Sequence, residues 1–184
     1  MSRQFLALLA VAVLAAVGGY FAAMQFAPQS DTGPSSGPEA NPVGMYRPDF
    51  EHADLDGRQV SAADFDGKVV LVNFWASWCE PCVEEMPMLS RLQEEYKAQG
   101  LQVLGIALDD EGHAATFASE LSLSYPVLLG DTDVVVTSRR YGNATGMLPY
   151  SVLIDRKGVL RWSRLGVLEE EALLDIIVPL LGEN

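Results

Sequence analysis

The residues best suited to chemistry in this sequence are two cysteines, Cys79 and Cys82, in the segment Trp78-Cys79-Glu80-Pro81-Cys82. A disulfide between them would close a loop of only four residues. It would therefore remove little conformational entropy from the unfolded chain and would stabilise the fold poorly. Two thiols at this spacing can instead exchange electrons with another disulfide. The spacing favours a redox couple over a structural cross-link.

The chain around the cysteines predicts how they are positioned. Val69–Trp75 is a nearly continuous apolar run, which is typical of a strand buried on both faces. Residues 80–99 follow with apolar side chains at helical spacing, and Pro81 suits a first helical turn because its missing N–H costs nothing there. The positive end of the helix dipole stabilises a thiolate at Cys79. Cys79 is therefore the predicted nucleophile, and Cys82, shielded within the first turn, is the predicted resolving thiol.

Strand and helix periodicities alternate along the rest of the chain. Hairpin turns are predicted at Asp56-Gly57 and at residues 155–158. The other predicted elements are strands over 102–108, 127–129, 150–154 and 159–165, and helices over 109–121, 131–141 and 169–181, the last of which Pro179 should fray. This order predicts an α/β fold in which a mixed central sheet is covered by helices on both faces.

The composition excludes several classes of protein. Of the 184 residues 49% are apolar, which is enough for a packed core. The 25 acidic residues outnumber the 12 basic ones and give a formal net charge of -13, which repels the phosphate backbone of nucleic acids. Two cysteines cannot build a four-cysteine zinc site. We therefore expect neither a nucleic-acid partner nor a zinc site of this kind.

The N-terminal residues predict a membrane segment. Residues 5–27 carry no charged side chain, and as a helix they would extend about 34 Å, enough to cross a hydrocarbon core of about 30 Å. A signal peptide cleaved near Ala16-Val17-Gly18 is the alternative, but the apolar part of such peptides is usually shorter. We expect an uncleaved signal-anchor within residues 1–27. Arg3 precedes the span and few basic residues follow it, which places the rest of the chain on the outer side.

Residues 28–42 predict a tether between this segment and a folded domain. The segment reads PQSDTGPSSGPEANP, and Pro, Gly and Ser supply nine of its fifteen residues. Such a composition buries little apolar area and does not form a core. The folded domain is expected to occupy residues 43–184.

The motifs on either side of the cysteines resemble those of the TlpA/ResA-like branch of membrane-anchored thioredoxin-fold proteins. The resemblance covers residues 49–181 and is carried by Asn73–Cys82 (NFWASWCEPC), Glu85, Pro87, Leu148-Pro149 and Val152–Asp155. It implies a thioredoxin-like fold with an N-terminal hairpin and a central strand-helix insertion at residues 101–130. It also implies a monomeric reductase whose redox group is the Cys79–Cys82 disulfide, with no metal or other cofactor.

The same resemblance implies where such a protein acts and with which partners. Members of this branch reduce disulfides of other proteins on the outer side of the bacterial inner membrane, the periplasm, often in cytochrome c maturation. An integral-membrane thiol carrier returns electrons to them. We therefore expect protein disulfides as substrates and a membrane thiol carrier as the electron donor.

The resemblance also assigns roles to residues outside the cysteine pair. Glu85 follows Cys82 by three positions on the same helical face, and the family has an acid there near the cysteines. The Leu148–Pro149 bond is expected to be cis, opposite the disulfide. A substrate groove is expected to include Trp78, Glu80, Pro81, Leu148 and Pro149. The remaining candidates, Glu84, His52 and His113, are expected to be solvated surface residues.

The sequence departs from the family pattern at two places. Asn73 stands where plain thioredoxins carry a buried aspartate, so a proton acceptor is absent there. Glu85 therefore becomes the expected acid–base group for Cys82. Tyr150-Ser151 replace a Thr or Glu followed by Thr, in a position expected to flank the substrate groove.

Two other functions fit the thiols less well. A peroxiredoxin-like peroxidase would need a reactive cysteine in a Thr-rich loop and a distant partner, and there is no third cysteine. A copper-binding or chaperone module would add a distal histidine, for which His113 is the candidate, but such sites generally have more widely spaced cysteines.

The charges around the cysteines predict the direction of electron flow. Glu80, Glu84 and Glu85 oppose the helix dipole and leave the thiolate of Cys79 less stabilised. A less stabilised thiolate makes the dithiol a better electron donor. We therefore expect a reductant rather than an oxidant.

Overall fold

The computed structural model describes residues 42–183. The predicted membrane segment at residues 5–27 lies outside this range, as does the predicted tether at residues 28–42 except for Pro42. Among the described residues, no helix combines the length and the apolar character needed to cross a membrane.

Residues 42–183 form seven strands and four α-helices, and every strand and helix predicted in this range is present. The strands are β1 (Glu51–Asp54), β2 (Gln59–Ser61), β3 (Val69–Trp75), β4 (Leu101–Leu108), β5 (Val127–Gly130), β6 (Tyr150–Ile154) and β7 (Leu160–Leu165). The α-helices are α1 (Glu80–Tyr96), α2 (Glu111–Glu120), α3 (Thr132–Arg140) and α4 (Glu170–Gly182). Two short 3₁₀ turns, Ala62–Phe65 and Lys97–Gln99, follow β2 and α1.

The strands form one mixed sheet in the order β2-β1-β5-β4-β3-β6-β7. Strands β3, β4 and β5 run parallel, and all other neighbours are antiparallel. Parallel neighbours need a crossover connection, which α1 supplies between β3 and β4 and α2 between β4 and β5. The predicted insertion at residues 101–130 contains β4, α2 and β5. Strand β4 pairs with β3 and forms the central β3-α1-β4 unit with it, while α2 and β5 extend this unit on the other side of β4. The predicted N-terminal hairpin is β1–β2, whose β1 pairs with β5.

Strand β3 divides the core into two layers because successive side chains point to opposite faces of a sheet. Its odd-numbered apolar residues pack in one buried cluster with side chains of α1 and α4, and its even-numbered apolar residues pack in a second cluster on the other face. Asn73 belongs to the odd-numbered series and contacts α1. A polar side chain thus lies inside the layer that contains both cysteines.

Helix α4 continues past Pro179 to Gly182, so the prediction of a frayed last turn is wrong. Pro179 lacks the N–H that would bond to a carbonyl one turn earlier, but Ile177 and Leu180 are buried in the core. Nη2 of Arg156 also donates to the carbonyl of Leu181 at 3.2 Å, which satisfies an acceptor left free at the helix end. Packing and this bond hold the turn in place.

His52 is buried, so the prediction of a surface position is wrong. Its Nδ1 lies 3.0 Å from Oδ2 of Asp133, and its Nε2 lies 3.0 Å from Oγ1 of Thr137. Both partners belong to α3, so the imidazole ring joins the N-terminal hairpin to that helix. Strand β1 is too short for its alternation to indicate which face is covered.

Candidate active site

The two cysteines form a disulfide at the start of α1. The Sγ atoms of Cys79 and Cys82 are 2.02 Å apart and their Cα atoms 5.3 Å apart. Cys79 immediately precedes the helix and retains 7% exposure, whereas Cys82 lies in the first turn and is fully buried. Of the two cysteines, Cys79 is therefore the one that retains contact with solvent.

The loop that leads from β3 to the cysteines is held by hydrogen bonds. The N–H of Cys79 donates to the carbonyl of Ala76 at 3.1 Å, and the carbonyl of Cys79 accepts from the N–H of Cys82 at 3.0 Å. The N–H of Ser77 donates to Oδ2 of Asp109 at 2.6 Å. Asp109 directly follows β4, so the neighbouring parallel strand fixes the position of the loop.

Opposing charges surround Cys79. The first N–H groups of α1 have no carbonyl partner within the helix and give its N-terminus a partial positive charge. Glu80 and Glu84 are exposed in the first turns, as predicted for Glu84, and their charge opposes that of the helix end. No basic residue lies between the two cysteines. A thiolate at Cys79 would therefore be stabilised by the helix end and destabilised by the charges of Glu80 and Glu84.

Pro149 lies beside the point where the cysteine loop leaves the sheet. The Leu148–Pro149 bond is cis, as the family resemblance implies. Because Phe74 pairs with Tyr150, Pro149 stands next to the end of β3. Pro149 is buried and Leu148 is half-buried, and their place in a substrate groove stays a prediction.

The other predicted groove residues, Trp78, Glu80 and Pro81, are exposed and lie close to Cys79 in the chain. Trp78 is 69% exposed, and Glu80 and Pro81 are exposed as well. The second tryptophan of the motif, Trp75, is fully buried in the core. Trp78 therefore offers a large apolar surface to a partner, while Trp75 has a packing role.

Glu85 is a buried carboxyl group one helical turn beyond Cys82. Its Oε1 accepts a hydrogen bond from Nδ2 of Asn73 at 2.7 Å, and its Oε2 accepts one from the N–H of Leu168 at 2.8 Å. Burial raises the pKa of Glu85 above its ordinary value, and the bonds from Leu168 and Asn73 offset part of that rise. The site thus contains a carboxyl group that can exchange a proton at a higher pH than an exposed glutamate.

The structure gives Asn73 and Ser151 a part that the sequence did not reveal. The amide of Asn73 donates to Glu85 and also to Oγ of Ser151 at 2.9 Å. Ser151 is fully buried, and the hydroxyl of Tyr150 donates to the carbonyl of Tyr141 at 3.0 Å. Tyr150 and Ser151 are therefore buried residues with partners inside the protein, and the expectation that they flank the substrate groove stays a prediction. The one signal in the sequence for this hydrogen-bond network was Asn73, a single amide side chain within the apolar run of β3.

His113 lies in a small acidic cluster after β4. It is exposed, as predicted, and its Nδ1 lies 2.6 Å from Oδ2 of Asp110. Ligand atoms of Asp109, Asp110 and His113 lie within 4.8 Å of one another, close enough to hold a metal ion. Both carboxylates also have structural partners, since Asp109 binds the N–H of Ser77 and Asp110 caps α2 through the N–H of His113.

The sequence is similar to a known protein family and to curated relatives of that kind. The family profile of AhpC/TSA matches residues 43–163. The chain is 35% identical over 130 residues to the thiol-disulfide oxidoreductase ResA of Geobacillus thermodenitrificans, covering 70% of this chain and 72% of the relative. It is 34% identical over 140 residues to the thioredoxin-like protein YneN of Bacillus subtilis, covering 72% and 79%.

A solved structure shares the architecture. A Chlorobium tepidum protein described as a thiol:disulfide interchange protein, DsbE, superimposes with a TM-score of 0.70 at 34% sequence identity. The similarity covers 76% of this chain and 98% of the other. The predicted thioredoxin-like α/β fold is confirmed by this likeness.

Proposed function

The chain belongs to the AhpC/TSA family and is a TlpA/ResA-like thiol-disulfide oxidoreductase, and from this premise we propose that it reduces protein disulfides outside a bacterial inner membrane. One observation carries the proposal. The Cys79–Cys82 disulfide lies at the N-terminus of α1, with a buried carboxyl group one turn further along the same helix. This arrangement supplies an accessible nucleophile, a shielded second thiol and an acid–base group.

The reaction starts from the reduced dithiol. The thiolate of Cys79 attacks one sulfur of a partner disulfide, forms a mixed disulfide and releases the other partner sulfur as a thiolate. Cys82 then attacks the sulfur of Cys79, and the second partner sulfur leaves as a thiolate that takes a proton from solvent. Two electrons pass from the dithiol to the partner, and the Cys79–Cys82 disulfide is the product.

Glu85 is the proposed base for the second step. Cys82 is fully buried and lies away from bulk water, so its proton needs an acceptor within the protein. Asn73 cannot accept it through the amide group that already donates to Glu85. The carboxylate of Glu85 is the acidic group of the same buried layer and is held in place by two hydrogen bonds.

The charge distribution favours reduction of the partner. The exposed acids Glu80 and Glu84 follow Cys79, and no basic side chain separates the cysteines. A strong oxidant such as DsbA has a potential of about -120 mV because its thiolate is highly stabilised, whereas thioredoxin is near -270 mV. The proposed potential of this dithiol is more negative than about -200 mV.

The location and the electron donor are part of the proposal. Residues 5–27 are uncharged and long enough to serve as an anchor, and the sequence up to the domain has few basic residues. We infer a single-pass protein with its C-terminal domain in the periplasm, acting as a monomer. An integral-membrane thiol carrier would re-reduce it, and cytochrome c maturation is the proposed pathway of its protein substrates.

Trapping of the mixed disulfide tests this function. The Cys82→Ser variant, expressed in the native cell, should accumulate disulfide-linked partners on Cys79 because the resolving thiol is absent. The double variant Cys79→Ser/Cys82→Ser is the matched control and should trap none. Recovery of Cys79 adducts with periplasmic proteins that lose the adduct on reduction supports the proposal. Failure to form any adduct on Cys79 contradicts the exchange mechanism.

A second assay separates the two alternative functions. Purified full-length chain, reduced and kept in detergent, should reduce insulin disulfides without consuming peroxide or retaining copper. Peroxide consumption in the absence of disulfide reduction would indicate a peroxidase. Stoichiometric retention of copper would indicate a copper-binding module.

A further inference from the structure

Three buried polar atoms have no hydrogen-bond partner among the described residues. They are Oδ1 of Asn73, Nε1 of Trp75 and the hydroxyl of Tyr125. Asn73 and Trp75 are fully buried, and Tyr125 retains only 5% exposure. A buried polar atom without a partner costs free energy, so a native protein rarely keeps three of them in one layer without a reason.

Gly105 lies close to Trp75 and Tyr125 and is the strand partner of Asn73. Gly105 lies on β4 and pairs with Asn73 of β3. A Cβ atom at Gly105 would lie 3.0 Å from Nε1 of Trp75 and 3.1 Å from Cε2 of Tyr125. The absence of a side chain at Gly105 therefore leaves room for both the indole N–H and the phenol ring over the strand, beside the strand partner Asn73 that donates to Glu85.

The charge of Glu85 affects the pKa of Tyr125. Burial and the negative charge of Glu85 both raise the pKa of the Tyr125 hydroxyl. The phenol therefore keeps its proton at any physiological pH and can donate a hydrogen bond. The other titratable side chains of this buried cluster are Cys79 and Cys82, once they are reduced, and the partly buried Tyr96 packs against the cluster.

The hydrogen-bonding capacities of these groups are complementary through one water molecule. Trp75 Nε1 can only donate, Oδ1 of Asn73 can only accept, and each carboxylate oxygen of Glu85 can accept a second bond. A water molecule has two donors and two acceptors and is stable in a buried site with two to four polar partners. It would accept from Tyr125 and Trp75 and donate to Asn73 and Glu85.

We propose that Tyr125 is a positioning residue for Glu85, and that its hydroxyl supports the charged carboxylate through a bound water that Asn73 and Trp75 also contact. The inference rests on the proposed acid–base role of Glu85. Hydrogen bonding to the charged form of a carboxyl group favours ionisation. Tyr125 thus limits the rise in the pKa of Glu85 that burial causes.

The substitution Tyr125→Phe tests the proposal because it removes only the hydroxyl. Infrared difference titration of the full-length oxidised chain measures the protonation of Glu85, and Glu85→Gln assigns its carboxyl band. The titration midpoint should move to higher pH by roughly one unit in Tyr125→Phe. Tyr96→Phe, at the far end of α1, is the matched control and should leave the midpoint in place.

A midpoint that stays unchanged or moves to lower pH in Tyr125→Phe overturns the proposal. A crystal structure of the oxidised wild-type chain gives a second measurement that needs no variant. Electron density for a water within hydrogen-bond distance of the Tyr125 hydroxyl and Glu85 supports the inference, and a dry contact at that place overturns it.

The two hypotheses fail separately. If Glu85→Gln resolves mixed disulfides at the wild-type rate, the acid–base role of Glu85 is wrong. If Glu85→Gln slows resolution while Tyr125→Phe leaves the Glu85 midpoint in place, the role of Tyr125 alone is wrong.

Discussion

Nδ2 of Asn73 lies 2.7 Å from Oε1 of Glu85, so that strand β3 donates a hydrogen bond to the buried carboxyl group of helix α1. A donor at this distance favours the charged carboxylate and opposes the effect of burial on its pKa. Asn73 stands at the position of the buried aspartate of plain thioredoxins. It therefore supplies no carboxyl group itself and instead donates a hydrogen bond to the carboxyl group of Glu85.

Substitution of Asn73 by Asp should destabilise the fold as pH rises. Two carboxyl groups would then face each other in the core, and they cannot both ionise, so one keeps its proton to a higher pH. The variant should lose about 1.4 kcal/mol, relative to the wild type, for each unit by which that pKa rises. Urea unfolding at pH 5 and pH 8 measures the difference. Ser151→Ala is the control, and a loss for Asn73→Asp that is equal at both pH values would contradict the argument.

Glu85 should make the wild-type stability depend on pH. Its pKa is raised in the folded state by burial, so the native state binds more protons than the unfolded state. The free energy of unfolding should therefore fall as pH rises from the unfolded value of about 4.3 through the folded pKa, and should not change further above it on account of Glu85. Urea unfolding of the oxidised wild type and Glu85→Gln from pH 3.5 to 8 tests this. Stability curves that remain parallel over the whole range would show that the pKa of Glu85 is not raised.

Glu85→Gln should slow resolution of the mixed disulfide more than the first attack. The variant lacks a base for the proton of Cys82, and general base catalysis contributes about 100-fold or more. Mixing the reduced chain with oxidised glutathione and quenching with acid lets mass spectrometry follow the adduct as it forms and disappears. Glu84→Gln, an exposed neighbour on the same helix, is the matched control and should behave as the wild type does. Equal slowing of both steps, or of neither, would remove Glu85 from the mechanism.

Glu80→Lys should make the dithiol more oxidising. A positive charge beside Cys79 adds to the helix dipole and stabilises the thiolate of the reduced form. Starting from a wild-type potential more negative than about -200 mV, the shift should be on the order of 30 mV toward less negative values. Equilibrium titration against glutathione measures both proteins, with Glu120→Lys on α2 as the control. A wild-type potential near -120 mV would assign the protein as a thiol oxidase.

The sequence predicted the elements that carry the cysteines because their signals are local. The apolar run of β3 and the segment of β6 have the bounds that were predicted, Val69–Trp75 and Tyr150–Ile154. The burial of His52 was not predictable, since the α3 residues that bind it lie far away in the sequence. Local periodicity does not report such contacts.

In the candidate site, too, the sequence predicted the features set by local spacing but not the contacts made between distant segments. The three-residue spacing of Cys82 and Glu85 places them on one side of α1, and Cys79 directly precedes its first turn. The partners of Glu85, by contrast, come from β3 and from the segment before α4. The depth of Glu85 and the identity of its donors depend on how helix and sheet pack, which the spacing of residues along one helix does not encode.

The hydrogen bond from Ser77 to Asp109 ties the redox loop to the point where the chain leaves β4 for α2. Ser77 lies two positions before Cys79, and Asp109 stands at the corner where the chain turns from β4 into α2. The elements α2 and β5 thus begin directly after a residue that is hydrogen-bonded to the backbone near the nucleophile. Shortening the chain to its central β3-α1-β4 core, which ends at Leu108, would remove Asp109 and free the cysteine loop on one side.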